Sequence, residues 1–283
     1  MARVKGALQI TGGIRGVSFY TMKGSDTIFM RTKGGPSKRR MKTGKEFELV
    51  RKHQVEWGAC VLFSRAMDSA TAGLKRLGDF NVSPVWNGLG KKIMKLDTEH
   101  VVGERSIEMT KCKHVLEGYN LNRNFAFNAV FRTSIQFDLD MKTEILKVKL
   151  PRINTENDIY NVQKLPYFRL IFSLGMLSDI YFDATINRSP FRPFFNDDIG
   201  YSLLEETEWL SAHDLIAEQT IEVVLPHWIP EEMKPHYTYV VCAAIEFGNV
   251  GFAGKIEPVK NASCAKIMMA EVYESPKSEL VIE

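Results

Sequence analysis

The alternation of apolar and polar positions divides the chain into three stretches. Over 4–33 it has a period of two. Val4–Ile10, Ile14–Met22 and Thr27–Thr32 read as short strands, separated by Thr11-Gly12-Gly13 and by Lys23-Gly24-Ser25-Asp26. Glycine supplies positive φ at such turns, and β-branched and aromatic side chains fill the strands. Three short strands are marginal alone, so this meander needs a cover from the rest of the chain or from another subunit. Gly34-Gly35-Pro36-Ser37-Lys38-Arg39-Arg40 then breaks the pattern and reads as an exposed linker.

Helical spacing follows. Thr43 is the expected N-cap, with Glu46 completing a capping box. Phe47, Val50, Gln54, Trp57, Val61 and Ser64/Met67 fall near one face of a helix running from Gly44 to Leu77. Ser83-Pro84 opens a second helix to Met94, and a third is expected over Gly103–Tyr119.

Beyond residue 122 strands return at Phe131–Leu139, Ile145–Leu150, Phe168–Leu174, Ser178–Ala184, Gln219–Leu225, Tyr237–Phe247 and Ile267–Tyr273. Gly175-Met176 divides one pair, and Ser211–Ile216 reads as a short helix. Strands at this spacing with turn residues between them predict an antiparallel sandwich of immunoglobulin-like type. The expected class is therefore α+β: an N-terminal β-meander arm with linker (1–42), a central helical segment (43–122) and a C-terminal β-sandwich (123–283).

Composition is that of an ordinary globular chain, 45% apolar and 25% charged. Charge changes the picture more. Residues 1–45 carry eleven Lys/Arg and one acid, Asp26, a net +10, which leaves −7 on the rest of a chain of overall charge +3. A basic arm on an acidic body suits nucleic acid, acidic lipid or the acidic face of another copy. No apolar run reaches the roughly 20 residues of a membrane span. The opening residues lack an apolar signal region, so a cytoplasmic chain is expected. Cys60, Cys112, Cys242 and Cys264 are scattered and read as reduced, buried thiols.

Catalytic patterns are sparse. Cys112-Lys113-His114 places two metal-ligand types together without a third, and the spacing of His227, Glu231 and His236 matches no zinc motif. There is no G-x-S-x-G elbow and no phosphate loop. Asp138 and Asp140 share a strand face that reads as solvated. Trp209, Trp228 and Tyr237 could form a sugar platform, but scattered aromatics belong more often to a core. No enzyme, cofactor, metal or small-molecule substrate is inferred.

Gly12, Gly16-Val17-Ser18-Phe19-Tyr20, Lys23 and Arg31-Thr32-Lys33-Gly34-Gly35 resemble the opening of an uncharacterised Bacteroidetes protein family. Lys38-Arg39-x-x-x-Thr43, Phe47-x-x-x-Arg51 and Glu56-Trp57-Gly58 match its continuation. Ala243-Ala244-Ile245-Glu246-Phe247 and Lys260-Asn261 match its closing strands. Trp57-Gly58 departs from the family's Phe-Gly pair. The resemblance covers both ends, rests on structural motifs and implies one shared architecture without an established activity.

The expectation is a non-enzymatic assembly protein forming a homo-oligomeric ring, tube or filament through its arm. Val17, Phe19, Tyr20, Phe29 and Arg31 would make the arm contacts, and Lys38, Arg39, Arg40 and Lys42 would form a basic patch. The alternative is nucleic-acid binding by that arm. Phe19, Tyr20 and Phe29 read as strand core, which leaves the arm without exposed aromatic platforms.

Overall fold

The computed structural model describes residues 2–4, 12–21, 27–32, 34–186, 189–194, 199–226 and 229–274. The chain separates into two compact units, 1–51 and 52–283.

The first unit holds β1 (Ala2–Val4), β2 (Gly12–Ile14), β3 (Val17–Thr21) and β4 (Ile28–Thr32) in one antiparallel sheet of order β1-β4-β3-β2. Gly12-Gly13 is strand here rather than turn. The expected strand Val4–Ile10 falls largely outside the described residues, as does the Lys23–Asp26 turn. Lys38–Thr43 is a helix (α1), which corrects the expected linker. Ser37 is its N-cap, accepting the Arg40 N–H at 3.2 Å. At its C-terminal end the Arg51 guanidinium donates to the carbonyls of Met41 and Gly44 at 2.9 and 2.8 Å. Thr43 closes α1, its hydroxyl donating to the Arg39 carbonyl, so it cannot cap the next helix. Glu46 forms no capping box and instead accepts from Arg40 at 2.8 Å.

Next come α2 (Glu48–Ala70) and α3 (Ser83–Met94). The buried positions of α2 are Glu56, Ala59, Cys60, Phe63, Ser64, Ala66, Met67 and Ala70. Of the expected face, Ser64 and Met67 are buried, but its N-terminal part is off by about one residue's turn of the helix: Trp57 stays 49% exposed. The small side chains Ala59, Ala66 and Ala70 let this face approach a sheet closely. The third expected helix shrinks to the 3₁₀ segment Thr110–Val115. Gly103 sits at φ +105, which no helix accepts, and Ile107 instead bridges to Ile180 of a strand.

The strands of the second unit are β5 (Gln136–Asp140), β6 (Ile145–Leu150), β7 (Ile153–Asn154), β8 (Tyr167–Ser178), β9 (Ile180–Phe182), β10 (Phe191–Pro193), β11 (Gly200–Glu206), β12 (Leu210–Ser211), β13 (Leu215–Ile216), β14 (Gln219–Val224), β15 (Tyr237–Val250), β16 (Ile256–Pro258) and β17 (Cys264–Val272). The helix expected over Ser211–Ile216 is replaced by β12 and β13. All pairings are antiparallel. The large sheet runs β11-β8-β15-β16, with β12 also on β8 and β17 also on β15; a smaller sheet runs β14-β6-β5.

Three layers result. Leu146, Val148 and Leu150 of β6 and Val223 of β14 share a core with Phe168, Leu170, Phe172 and Leu174 of β8. The opposite face of the large sheet, with Ile171, Val240, Cys242 and Ala244, packs against Phe63 and Met67 of α2 and Trp86 and Met94 of α3. Because both faces are covered, β8 and β15 are buried along nearly their whole length and read as continuous apolar runs. The predicted helical segment and the predicted sandwich thus share a core.

Gly175 does not end a strand; β8 passes straight through it. A Cβ there would lie 2.7 Å from the Ala70 carbonyl carbon and 2.8 Å from Ser202 Cβ. The glycine exists so that the last turn of α2 can rest on the sheet. Ser202 of β11 fastens the same point: its hydroxyl donates to the Ser69 carbonyl and accepts the Ala72 N–H at 2.9 Å.

Candidate functional site

The expected contact residues fall on two opposite faces of the first unit's sheet. Directly paired residues of an antiparallel ladder point to the same side. The register pairs Val17 with Thr32 and Ile14, Phe19 with Met30, and Thr21 with Ile28. Ile14, Val17, Phe19, Ile28 and Met30 therefore form one apolar face. Ser18 pairs with Arg31 and Tyr20 with Phe29, which places Tyr20, Phe29 and Arg31 on the other.

Tyr20 and Phe29 are consequently not core partners of Phe19, a correction to the reading that put all three in a strand core. Their rings stack with centroids 5.8 Å apart, and the Arg31 guanidinium lies 5.4 Å over Tyr20. Both rings are half-buried and Arg31 is exposed. The signal was present in the sequence, because Phe19 and Tyr20 are adjacent and a strand sends neighbours to opposite faces. Among the described residues of this unit only Ile28 is buried.

Lys38, Arg39, Arg40 and Lys42 all lie on α1 and are exposed. Arg40 is partly committed, to the Glu46 carboxylate and to the Phe47 ring at 6.0 Å. That guanidinium, leading the contributions, holds Glu46 below the usual carboxylate range. Lys38, Arg39 and Lys42 keep the helix strongly cationic.

The second unit has a cleft of about 130 Å³ lined by Ile93, Asp97, His100, Glu108, Cys112 and Tyr181 among others. His100 Nδ1 lies 2.8 Å from Asp97 Oδ2, so a His–Asp pair faces a cysteine across one cavity. The thiol argues against nucleophilic work. Burial, helped by Asp179 and Glu108, pushes Cys112 up, and a thiolate is the reactive form. The other cysteines are buried too, with Cys60 pushed up to about 11 and Cys242 and Cys264 to about 12 by burial. Among the described residues no group of three or more His, Cys, Asp or Glu is arranged to hold a metal ion. His227 and Trp228 lie outside the described residues. Tyr237 is fully buried and Trp209 lies beneath Arg169 at 4.8 Å, so these two do not form an exposed sugar platform.

Beside the cleft, Asp179 accepts the Thr110 N–H at 3.0 Å and the Thr110 hydroxyl at 2.5 Å. The Tyr181 hydroxyl bridges Asp179 and His236 at 3.3 and 3.2 Å, and Phe194 stacks on His236. Burial pushes the Asp179 carboxyl up to about 6, against the pull of the Thr110 bonds. A carboxyl raised above its unfolded value of 3.8 favours folding when protonated. That contribution is present at low pH and is lost as pH rises through about 6. Burial holds His236 below its ordinary value, which acts in the opposite direction. The informative quantity is therefore the melting temperature of the wild type minus that of Asp179→Asn. It should increase between pH 7.5 and pH 5; a flat difference would mean that the carboxyl titrates normally.

No helix of the described residues is long and apolar enough to cross a membrane. No family model, curated protein or solved structure matches the chain.

Proposed function

We propose that the protein is a non-enzymatic assembly component, acting in the cytoplasm, whose N-terminal sheet is completed by another copy of the same chain. One observation carries this reading. A four-stranded sheet presents an apolar face of Ile14, Val17, Phe19, Ile28 and Met30, yet a single described residue of its 51-residue unit is buried. Units of that size are marginal even with a full core. An apolar sheet face on which Ile28 alone is buried among the described residues is the kind of surface that marks an interaction site.

Charge supports a second copy as the partner. The first 45 residues carry +10 and the remainder −7, so the basic unit of one molecule is attracted to the acidic body of another. Such head-to-tail contact produces rings when the rotation closes and filaments when it does not.

Light scattering on the full-length protein tests the reading. The wild type should run as a defined particle larger than one chain. Phe19→Asp, which puts a charge on the apolar face, should reduce it to the mass of a single chain. The melting transition of the second unit should be unchanged. A wild type of single-chain mass, or a Phe19→Asp particle of undiminished size, would sink the idea.

A further inference from the structure

The opposite face of the same sheet has a different chemistry. Tyr20 and Phe29 offer two stacked rings, half-buried and therefore fixed in place, and Arg31 adds a planar cation over one of them. Aromatic rings and a guanidinium also suit a protein partner, but the net charge of +10 on the first 45 residues favours a polyanion. A lipid surface would use the cations and seat the rings at headgroup level without stacking on their faces. A nucleobase uses both, since its flat face stacks on aromatic rings and on guanidinium planes alike. The base supplies the π-face and its phosphate the negative charge.

The cations needed for a backbone are close in the chain. Five residues separate Thr32, at the end of β4, from Lys38, which limits their distance to about 20 Å, a few nucleotides of extended strand. Lys38, Arg39 and Lys42 stand exposed on α1, and Arg15 is exposed in the β2–β3 loop. The geometry points to a single-stranded nucleic-acid site in which bases stack on Tyr20, Phe29 and Arg31 while Lys38, Arg39 and Lys42 take the phosphates. A duplex hides its base faces inside the stack, so a single strand is the occupant that fits. This site does not depend on self-assembly, because it uses the face of the sheet opposite the apolar contact.

Fluorescence anisotropy with a labelled 20-mer of oligothymidylate, full-length protein and a salt series tests the proposal. The wild type should bind the single strand in preference to a duplex of the same length. Tyr20→Leu keeps an apolar strand residue but removes the ring, and should weaken binding roughly 5- to 100-fold. Tyr20→Phe should retain it, which separates lost stacking from a damaged sheet. Replacing Lys38, Arg39 and Lys42 by Gln should make the slope of log affinity against log salt shallower by about 2, at about 0.7 per phosphate contact. Equal affinity for duplex together with an unaffected Tyr20→Leu would reduce the site to a plain polycation and overturn the proposal. It is also overturned if the oligonucleotide goes unbound at low salt while phosphatidylserine vesicles are captured.

Discussion

Glu56→Ala should destabilise the second unit by about 3–5 kcal/mol, the usual cost of removing one partner from a buried ionic cluster. Glu56 has no exposed surface. Its Oε1 accepts from Gly103 N–H at 3.0 Å and Arg105 Nε at 2.7 Å, and its Oε2 from Arg105 Nη2 at 2.9 Å and Lys91 Nζ at 2.5 Å. His53 Nδ1 stands 3.3 Å away. One carboxylate thus joins α2, α3 and the 97–106 loop. Its removal strands a part-buried guanidinium and an ammonium together, with mutual repulsion added to lost pairing.

Burial taken alone would raise the Glu56 carboxyl, but the bonds from Arg105, Lys91 and Gly103 together outweigh it and hold the group far below its ordinary 4.5. The contribution is therefore complete at neutral pH and is lost only as pH falls below the ordinary glutamate range. Chemical denaturation at pH 7 gives the number. The Tm should drop by about 10 °C, taking 2–4 °C per kcal/mol for a unit of this size. Glu56→Gln should also be costly, because an amide cannot accept from four donors. A loss under about 1 kcal/mol in both variants would mean that the loop holds its place without this carboxylate.

Gly175→Ala is the second large effect. The added methyl would meet the Ala70 carbonyl and Ser202 Cβ, one of them backbone, so no rotamer change relieves it. Either α2 lifts from β8 or β8 bends, and both disturb the core holding Phe63, Met67 and Ile171. Overpacking of this kind costs about 3 kcal/mol or more. Gly88→Ala is the matched control. It lies inside α3 with nothing within 4 Å of a new Cβ, and should gain up to about 1 kcal/mol from helix propensity. Urea midpoints moving in opposite directions would support this seating of α2. An unchanged midpoint for Gly175→Ala would show that the helix end does not rest there.

Gly175 also shows how a local rule fails. Read along the chain, Gly175-Met176 looks like a break between two strands. In space it is the one residue type that admits a helix terminus against a buried strand. Sequence records the missing Cβ but not the object that needs the room. The same holds for α2. Its expected stripe keeps Ser64 and Met67 in the core but leaves Val50 and Trp57 exposed, and burial goes instead to Ala59, Cys60 and Phe63, with Glu56 among them. A buried glutamate looks polar until Arg105 and Lys91 arrive from 35 residues away or more. The third helix failed for a related reason, since Gly103 takes positive φ and gives its N–H to Glu56.

By itself the sequence determined the order of architectures. It placed strands first, helices next and antiparallel strands last, because side-chain period is a local property that survives without tertiary contacts. It also determined the charge asymmetry and the burial of all four cysteines. Only the tertiary structure decided that the helices and the C-terminal sheets share a core, that Lys38–Thr43 is a helix locked by Ser37 and Arg51, and that Phe29 shares a face with Tyr20 rather than with Phe19. Strand pairing made that last decision, because register, unlike periodicity, is set between segments that the sequence lists apart.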